Sequence, residues 1–302
     1  FGHKNPDTDT ICSSIVYNNV KRIQGMDSEA VRLGEINDET KYALEYFNVR
    51  LPRLVDRVEE GQHVILVDHN EFQQSADGIE KAVIREVIDH HRIANFETAS
   101  PLYYRSDPLG CTATILKKIY EEQNVNIDKQ MAGLMLSAII SDSLLLKSPT
   151  CTLRDKVAAE ELAAIAGVNL EEYGLAMLKA GASTKDKKAE ELISLDAKEF
   201  ILGDDKLIVA QINTVDEKEV SERKEELVSA INKEISEKGL SAFVFVITNI
   251  LTSDSEVLVL GEKQDKVAAA FGKTLENDFM TLEGVVSRKK QVVPQITEEF
   301  SK

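Results

Sequence analysis

The sequence has few cysteines, and they are poorly placed for pairing. Cys12, Cys111 and Cys151 are the only three in 302 residues. An odd, widely spaced set is not a disulfide framework, and without a CxxC pair a thiolate zinc site is disfavoured. Free, buried thiols in a reducing compartment are expected. Positive charge is also short, with 36 Lys and Arg against 52 Asp and Glu, a net −16. That argues against non-specific nucleic-acid binding, which needs a basic face, and leaves a metal cation as a natural partner. Long apolar runs are missing. The longest, Met131 to Leu146, contains Asp142 and is too short to span a bilayer. The polar start FGHKNPDTDT does not read as a signal peptide. A cytoplasmic protein without a membrane partner is expected. No Walker A sequence occurs, which excludes a P-loop NTPase. No Gly-x-Ser-x-Gly elbow occurs either, which disfavours a nucleophilic serine. Internal repeats and low-complexity tracts are absent.

What is present is a core-forming chain. Hydrophobic residues make up 43% of it, and its length allows one large domain or two ordinary ones. The opening Phe1-Gly2-His3 reads as the tail of a strand whose earlier residues have been trimmed away. Strand-length apolar runs occur at 64–67 and 83–88. Helical periodicity fits 11–25, 112–123, 129–141, 155–166 and 170–180. Such alternation predicts a mostly parallel sheet flanked by helices. Near Ala182 the composition changes to small and charged residues, read as a linker over 183–191. The pattern then restarts, with strands at 206–213, 243–247 and 257–260 and helices at 217–238 and 263–275. Two α/β domains are expected, at 1–182 and 192–302.

Histidine carries the sharpest chemical signal. Four of the five histidines lie beside aspartates at three separate places: His3-Lys-Asn-Pro-Asp7-Thr-Asp9, Asp68-His69-Asn70 and Asp89-His90-His91. Two of these follow strand-like runs, and the carboxyl ends of strands in an open parallel sheet face one crevice. The clusters are therefore expected to converge. Asp142, at the end of an apolar helix, is costly to bury unless paired or metal-bound. Imidazole with carboxylate suits Mn²⁺, Fe²⁺, Co²⁺ or Zn²⁺. About six such ligands suit two ions sharing a carboxylate, a recurring device for phosphoryl chemistry. Each piece also has a plain reading: Asp7 and Asp9 as helix caps, Asp89 as an orienter of His90 or His91, His63 as a surface residue. A second signal is the basic triplet Arg288-Lys289-Lys290, flanked by apolar Gly284-Val-Val286 and Val292-Val293. Arg can grip phosphate bidentately, with Lys as a point charge. A solvated face is its plain reading.

Five stretches together resemble the family II inorganic pyrophosphatases of the DHH phosphoesterase superfamily: GHKNPDTDTI at 2–11, VDHNE at 67–71, VIDHHRIANFE at 87–97, SAIISDSLLLKSPT at 137–150 and GVVSRKKQ at 284–291. The resemblance spans essentially the whole chain. It implies hydrolysis of pyrophosphate to two phosphates, with two Mn²⁺ (or Co²⁺) per subunit and Mg²⁺ accompanying the substrate. By the same resemblance, His3, Asp7 and Asp68 hold one ion. Asp9, Asp68, His90 and Asp142 hold the other, with Asp68 bridging. A hydroxide bridging the ions is the implied nucleophile, and His91 the group facing substrate as donor or general acid. Arg288, Lys289 and Lys198 are implied phosphate ligands, Lys198 through the resemblance alone. The family has two α/β domains with its active site in the cleft between them, and its bacterial members pair as homodimers through the first domain. Members usually carry further residues before Phe1, and often Phe where Leu146 stands; no regulatory CBS pair is inserted here. The rival readings are another DHH phosphoesterase, acting on polyphosphate or short oligonucleotides, and a non-catalytic metal or phosphate sensor. The absence of a GGGH segment and the presence of SRKKQ favour the pyrophosphatase reading.

Overall fold

The first helix, α1 (Thr8–Ile23), starts where the Asp7 carboxylate accepts the Thr10 N–H at 2.9 Å. This cap satisfies a backbone donor that the helix cannot bond internally. The computed structural model describes residues 1–302 except 183, 185, 186 and 216. The chain divides into two units, Phe1–Gly181 and Ala182–Lys302. Part of the segment read as a linker, 183, 185 and 186, lies outside the described residues. Its far end, Ala189 to Glu191, belongs to a short helix.

In the first unit, β1 (Val31–Arg32) and β2 (Arg53–Leu54) form a brief parallel pair around α2 (Asp38–Tyr46). Next, β3 (His63–Val67), β4 (Val83–Asp89) and β5 (Tyr103–Ser106) make a parallel sheet in that order. Val67 pairs with Ile88, and Asp89 with Ser106. The carboxyl ends of β3 and β4 therefore lie side by side, as an open parallel sheet requires. On the other flank of β3, Phe1 N donates to Ile65 O at 3.1 Å and Phe1 O accepts from Val67 N at 3.0 Å. That is parallel pairing, and it delivers His3 to the same end.

Four further helices follow: α3 (Thr112–Glu122), α4 (Lys129–Ser143), α5 (Leu153–Ala166) and α6 (Leu170–Gly181). Every residue of α4 from Met131 to Ile140 is buried, the mark of a helix inside a core rather than upon it. Asp142 therefore sits at the end of a helix with little freedom to shift. Beyond it Leu144, Leu145 and Leu146 take φ of 46°, 55° and 65°, three consecutive left-handed residues. Leu145 packs against Gly174 of α6, where a Cβ would stand 2.4 Å from its methyl.

In the second unit, β6 (Ala197–Leu202) to β10 (Phe279–Leu282) form one mixed sheet ordered β10-β9-β8-β7-β6, with β7 (Asp205–Thr214), β8 (Ala242–Asn249) and β9 (Asp254–Leu260) between. Only β7 and β8 are parallel. Residues of β8 alternate between two cores: Phe243, Phe245 and Ile247 face α7 (Ala189–Leu192) and α9 (Lys224–Lys238), while Val244 and Val246 face α10 (Gln264–Ala269) and α11 (Val293–Phe300). A strand covered on both faces reads as an unbroken apolar run. The single helix expected over 217–238 is two, α8 (Glu217–Ser221) and α9, separated at Arg223, whose φ and ψ are −89° and 20°. Periodicity hid the break, because Val220, Leu227, Ala230 and Ile231 keep one face inward across it. The helix expected to reach Leu275 stops early, where Lys273 N turns back to Ala268 O at 3.1 Å around left-handed Gly272. Among the described residues, no helix is long and apolar enough to cross a membrane.

Candidate metal centre

Asp68 follows β3 and is held there by its N–H to Ile88 O at 2.8 Å. Its φ is 59°, a left-handed conformation that Asp tolerates better than most residues. The side chain is 1% exposed. Its two oxygens look in different directions. Oδ2 lies 3.5 Å from His3 Nε2, while Oδ1 lies 3.5 Å from His90 Nε2 and 3.6 Å from His91 Nδ1. The hydroxyls of Thr10 and Thr112 donate to Oδ2 and Oδ1 at 2.7 and 3.0 Å.

The remaining acids close the cluster. Asp7 caps α1 with Oδ1 and turns Oδ2 to His3 Nε2 at 3.4 Å; capping and cluster membership coexist in one carboxylate. Asp9 is fully buried within the first turn of α1. It accepts Ser13 Oγ at 2.5 Å and Thr112 N at 2.7 Å. Asp142 Oδ2 stands 3.8 Å from His90 Nε2. Three groups of potential ligand atoms result: His3, Asp7 and Asp68; Asp68, His90 and His91; Asp9, Cys111 and Asp142.

The imidazoles are oriented from behind. Nδ1 of His3 bonds Lys4 O at 2.7 Å and Nδ1 of His90 bonds Leu109 O at 2.9 Å, so both present Nε2 to the acids. A carbonyl behind the ring is the usual way a metal-binding imidazole is aimed. Asp89 takes the orienting role for His91, accepting both its Nδ1 and its backbone N–H; Asn70 holds Asp89 in turn at 2.6 Å. His69, the fourth histidine of the motifs, is not in the cluster. Its nitrogens are spent on Val67 O and Ser75 Oγ, and burial pushes it down to about 4.

Asp155 supports this arrangement without touching it. This buried carboxylate accepts Gly110 N, Thr114 Oγ1 and both donors of Thr152. It fixes the stretch 109–112, whose Leu109 O, Thr112 N and Thr112 Oγ1 contact His90, Asp9 and Asp68.

The electrostatics are those of concentrated negative charge. Burial would lower His3, but the charge and hydrogen bond of Asp7, with Asp68 behind, lift it to about 10. His90 is opposed by burial likewise, yet the hydrogen bond and charge of Asp68 and the charge of Asp9 raise it to about 9. Burial and the Asp68 charge push Asp9 up to about 7. Burial, then Asp9, Asp7 and Asp68, hold Asp142 well above the carboxylate range. Asp68 itself is kept well below that range: burial opposes ionisation, but the His90 hydrogen bond and the charges of His91, His3 and His90 prevail. Acids forced toward neutrality beside imidazoles forced toward charge lack positive charge at their centre. Burial, then the neighbouring acids, also raise the Cys111 thiol, which keeps it protonated and a poor ligand. All three thiols are free.

The second unit gathers its own basic residues. Arg288 is buried and opens a π-helical turn, Arg288–Val292. Its Nη1 donates to Asp196 O and to Val209 O at 3.4 Å, and its Nη2 pairs with Asp196 Oδ1 at 2.8 Å. Val209 is the partner of Lys198 in the β6–β7 ladder, so Lys198 and Arg288 meet at one strand pair. Gln211 accepts Arg288 N, and Gln291 accepts Val286 N and Ser287 N, each at 3.0 Å. The basic stretch is thus a clasped turn rather than a free tail, with Lys289 exposed on it.

Sequence reasoning missed the polar residues around the acids: Thr10, Thr112, Asn70, Glu39 and Asp155. Of these, Thr10 and Asn70 lay within recognisable motifs, Asp7-Thr8-Asp9-Thr10 and Asp68-His69-Asn70.

Comparison with known proteins covers both units. Residues 1–139 match the DHH family, N-terminal domain, and residues 175–299 the DHHA2 domain. A manganese-dependent inorganic pyrophosphatase of Bacillus subtilis is 61% identical over 302 residues, covering 100% of this chain and 98% of its own length. A protein of Exiguobacterium sp., named a probable manganese-dependent inorganic pyrophosphatase, is 63% identical with the same coverage. A Methanococcus jannaschii structure assigned to the family II inorganic pyrophosphatases superposes with a TM-score of 0.82 at 39% identity, covering 100% of this chain and 98% of that one. An exopolyphosphatase-related protein of Bacteroides fragilis shares the fold at 16% identity and a TM-score of 0.52, covering 99% and 91%.

Proposed function

Because the chain belongs to the manganese-dependent, family II inorganic pyrophosphatases, an enzyme family, we propose that it hydrolyses pyrophosphate to two phosphates with a pair of divalent cations. The observation that carries this reading is Asp68, one buried carboxylate turned to His3 with one oxygen and to His90 with the other. The residues fit the cations on chemical grounds. Nitrogen and oxygen donors of this mix suit Mn²⁺ or Co²⁺, and the raised Asp9 and Asp142 are acids awaiting positive charge.

His3, Asp7 and Asp68 would hold one ion, and Asp9, Asp68, His90 and Asp142 the other. When bound, the pair supplies Lewis acidity, lowering the pKa of water and neutralising phosphate charge. The protein's own groups do the rest. Thr10 and Thr112 fix the Asp68 plane. Asp89 accepts His91 Nδ1, and the His91 side chain is 39% exposed, which leaves Nε2 as the nitrogen to donate to a leaving phosphate. Arg288, Lys289 and Lys198 bind phosphate oxygens, with Arg288 pre-set by Asp196. Mg²⁺ would accompany the substrate. The same reading places the enzyme in the cytoplasm as a homodimer paired through its first unit, with neither nucleic acid nor membrane as partner.

The deciding assay is phosphate release from pyrophosphate after metal is stripped and Mn²⁺, Co²⁺ or Mg²⁺ is restored singly. A dinucleotide and polyphosphate run in parallel. Hydrolysis of pyrophosphate alone, strongest with Mn²⁺ or Co²⁺, is expected. Cleavage of the dinucleotide or polyphosphate instead would move the chain to the rival phosphoesterases. Metal binding without any turnover would leave the sensor.

The proton balance gives an independent check. His3, held at about 10, and His90, at about 9, are protonated at neutral pH without cations. A cation on Nε2 must displace those protons. Mn²⁺ binding to the stripped chain is therefore expected to release protons at pH 7. Affinity should climb as pH rises toward those values and level above them. Calorimetry in buffers of different ionisation enthalpy reads this directly. Proton-neutral binding at pH 7 would show that His3 and His90 are already neutral in the stripped chain.

A further inference from the structure

Glu39 is a carboxylate beside the centre that the proposed reaction does not use. It lies in the first turn of α2, a helix that supplies none of the six proposed ligands. Its Oε1 accepts two hydroxyls: Thr8 Oγ1 at 2.8 Å and Ser141 Oγ. Thr8 stands between Asp7 and Asp9, and Ser141 immediately precedes Asp142. One oxygen atom therefore joins the start of α1 to the end of α4, the two places that present three of the four proposed aspartate ligands.

The carboxylate is held so that it cannot swing away. On its far side the chain at Gly181 closes in, where a Cβ would stand 2.8 Å from the Glu39 Cβ and 3.2 Å from Oε2. Thr40, next to Glu39, places its hydroxyl 3.1 Å from Thr8 Oγ1. The helix is seated by aromatic contacts of Tyr42, Tyr46 and Phe47 with Tyr173 of α6, at centroid distances of 6.0, 4.8 and 5.3 Å. No Lys or Arg pairs with Glu39 among the described residues.

We propose that Glu39 is a positioning residue for both cations: through Thr8 and Ser141 it sets the spacing between the α1 carboxylates and the α4 carboxylate. The proposal rests on the two-cation reading above. Groups that orient metal ligands from behind typically change affinity about 10–100-fold when removed, and Glu39 does this for two ligand-bearing segments at once.

The test is Mn²⁺ titration of the stripped, full chain, followed by calorimetry and by the electron spin resonance of free Mn²⁺. Melting of the metal-free protein is recorded alongside. Glu39→Ala is expected to bind Mn²⁺ about 10–100-fold more weakly, with little change in metal-free melting temperature. Glu39→Gln, whose amide oxygen still accepts both hydroxyls, is expected to restore most of the affinity. Ser141→Ala, which opens one arm only, should fall between, and it tests the proposal even if Glu39→Ala folds poorly. Wild-type affinity in both Glu39→Ala and Ser141→Ala would overturn the proposal. So would a Glu39→Gln as weak as Glu39→Ala, which would make the effect one of charge, or a loss of affinity matched by a loss of metal-free stability. Absence of Mn²⁺ binding by the wild-type chain would instead overturn the two-cation reading itself.

Discussion

Replacing Asp68 by asparagine is expected to abolish turnover, by about three orders of magnitude or more, and to weaken both cation positions together. The substitution is almost isosteric. Asn also tolerates the left-handed backbone at this position, and its side-chain oxygen can still accept Thr10 or Thr112. What is lost is the charge and one acceptor. In the stripped protein, the anion that does most to lift His90 disappears, while His3 keeps the Asp7 charge and hydrogen bond that lift it most. Burial then pulls His90 down more than His3, and the proton release on Mn²⁺ binding shrinks with it. Metal content by elemental analysis and turnover by phosphate release check the two halves. Retained turnover, or loss of one ion with the other intact, would remove Asp68 from its shared position.

Arg288→Ala is expected to act differently. It should lower kcat about a hundredfold to a thousandfold, the scale of losing one preorganised donor to a reacting phosphate, and leave bound metal unchanged. The reason is chain location: all six proposed metal ligands lie in residues 1–181, and Arg288 lies in the other unit. Arg288→Lys should recover only part of the loss, because Lys keeps the charge but not the planar fork. The Asp196 carboxylate that Arg288 leaves behind can be solvated, since Asp196 is 54% exposed. Metal loss in Arg288→Ala would show that the roles given to the two units are wrong.

The sequence made the acids and imidazoles legible for a local reason. His3, Asp7, Asp9, Asp68, His90 and Asp142 come in short motifs at strand or helix ends, and rare residue types repeated in such places stand out. Thr112, Glu39 and Asp155 were illegible because Thr, Glu and Asp are common and their partners are remote. Thr112 meets Asp9 across 103 positions and Glu39 meets Ser141 across 102. His69, which was given no role as a ligand, turns to Val67 O and Ser75 Oγ, since adjacency to Asp68 does not set which way a ring turns. Among the elements, β8 was plain as an apolar run covered on both faces. Edge strand β6 was not, since Ala197 to Glu199 are all exposed and the inward residues are only Phe200 and Leu202, on either side of an Ile201 that is 74% exposed. The two-residue strands β1 and β2 are too short for any periodic signal.

The leucine turn after Asp142 has a cost that bears on engineering. Left-handed backbone is unfavourable by roughly 1–2 kcal/mol for an ordinary L-residue, and Leu144, Leu145 and Leu146 adopt it in succession. A search for thermostable variants would be drawn here, because glycine relieves such strain at little steric expense. The gain would come from the residues that end α4, and the Leu145 packing against Gly174 would be surrendered with them. This turn is therefore a point where selection for robustness and selection for catalysis pull in opposite directions.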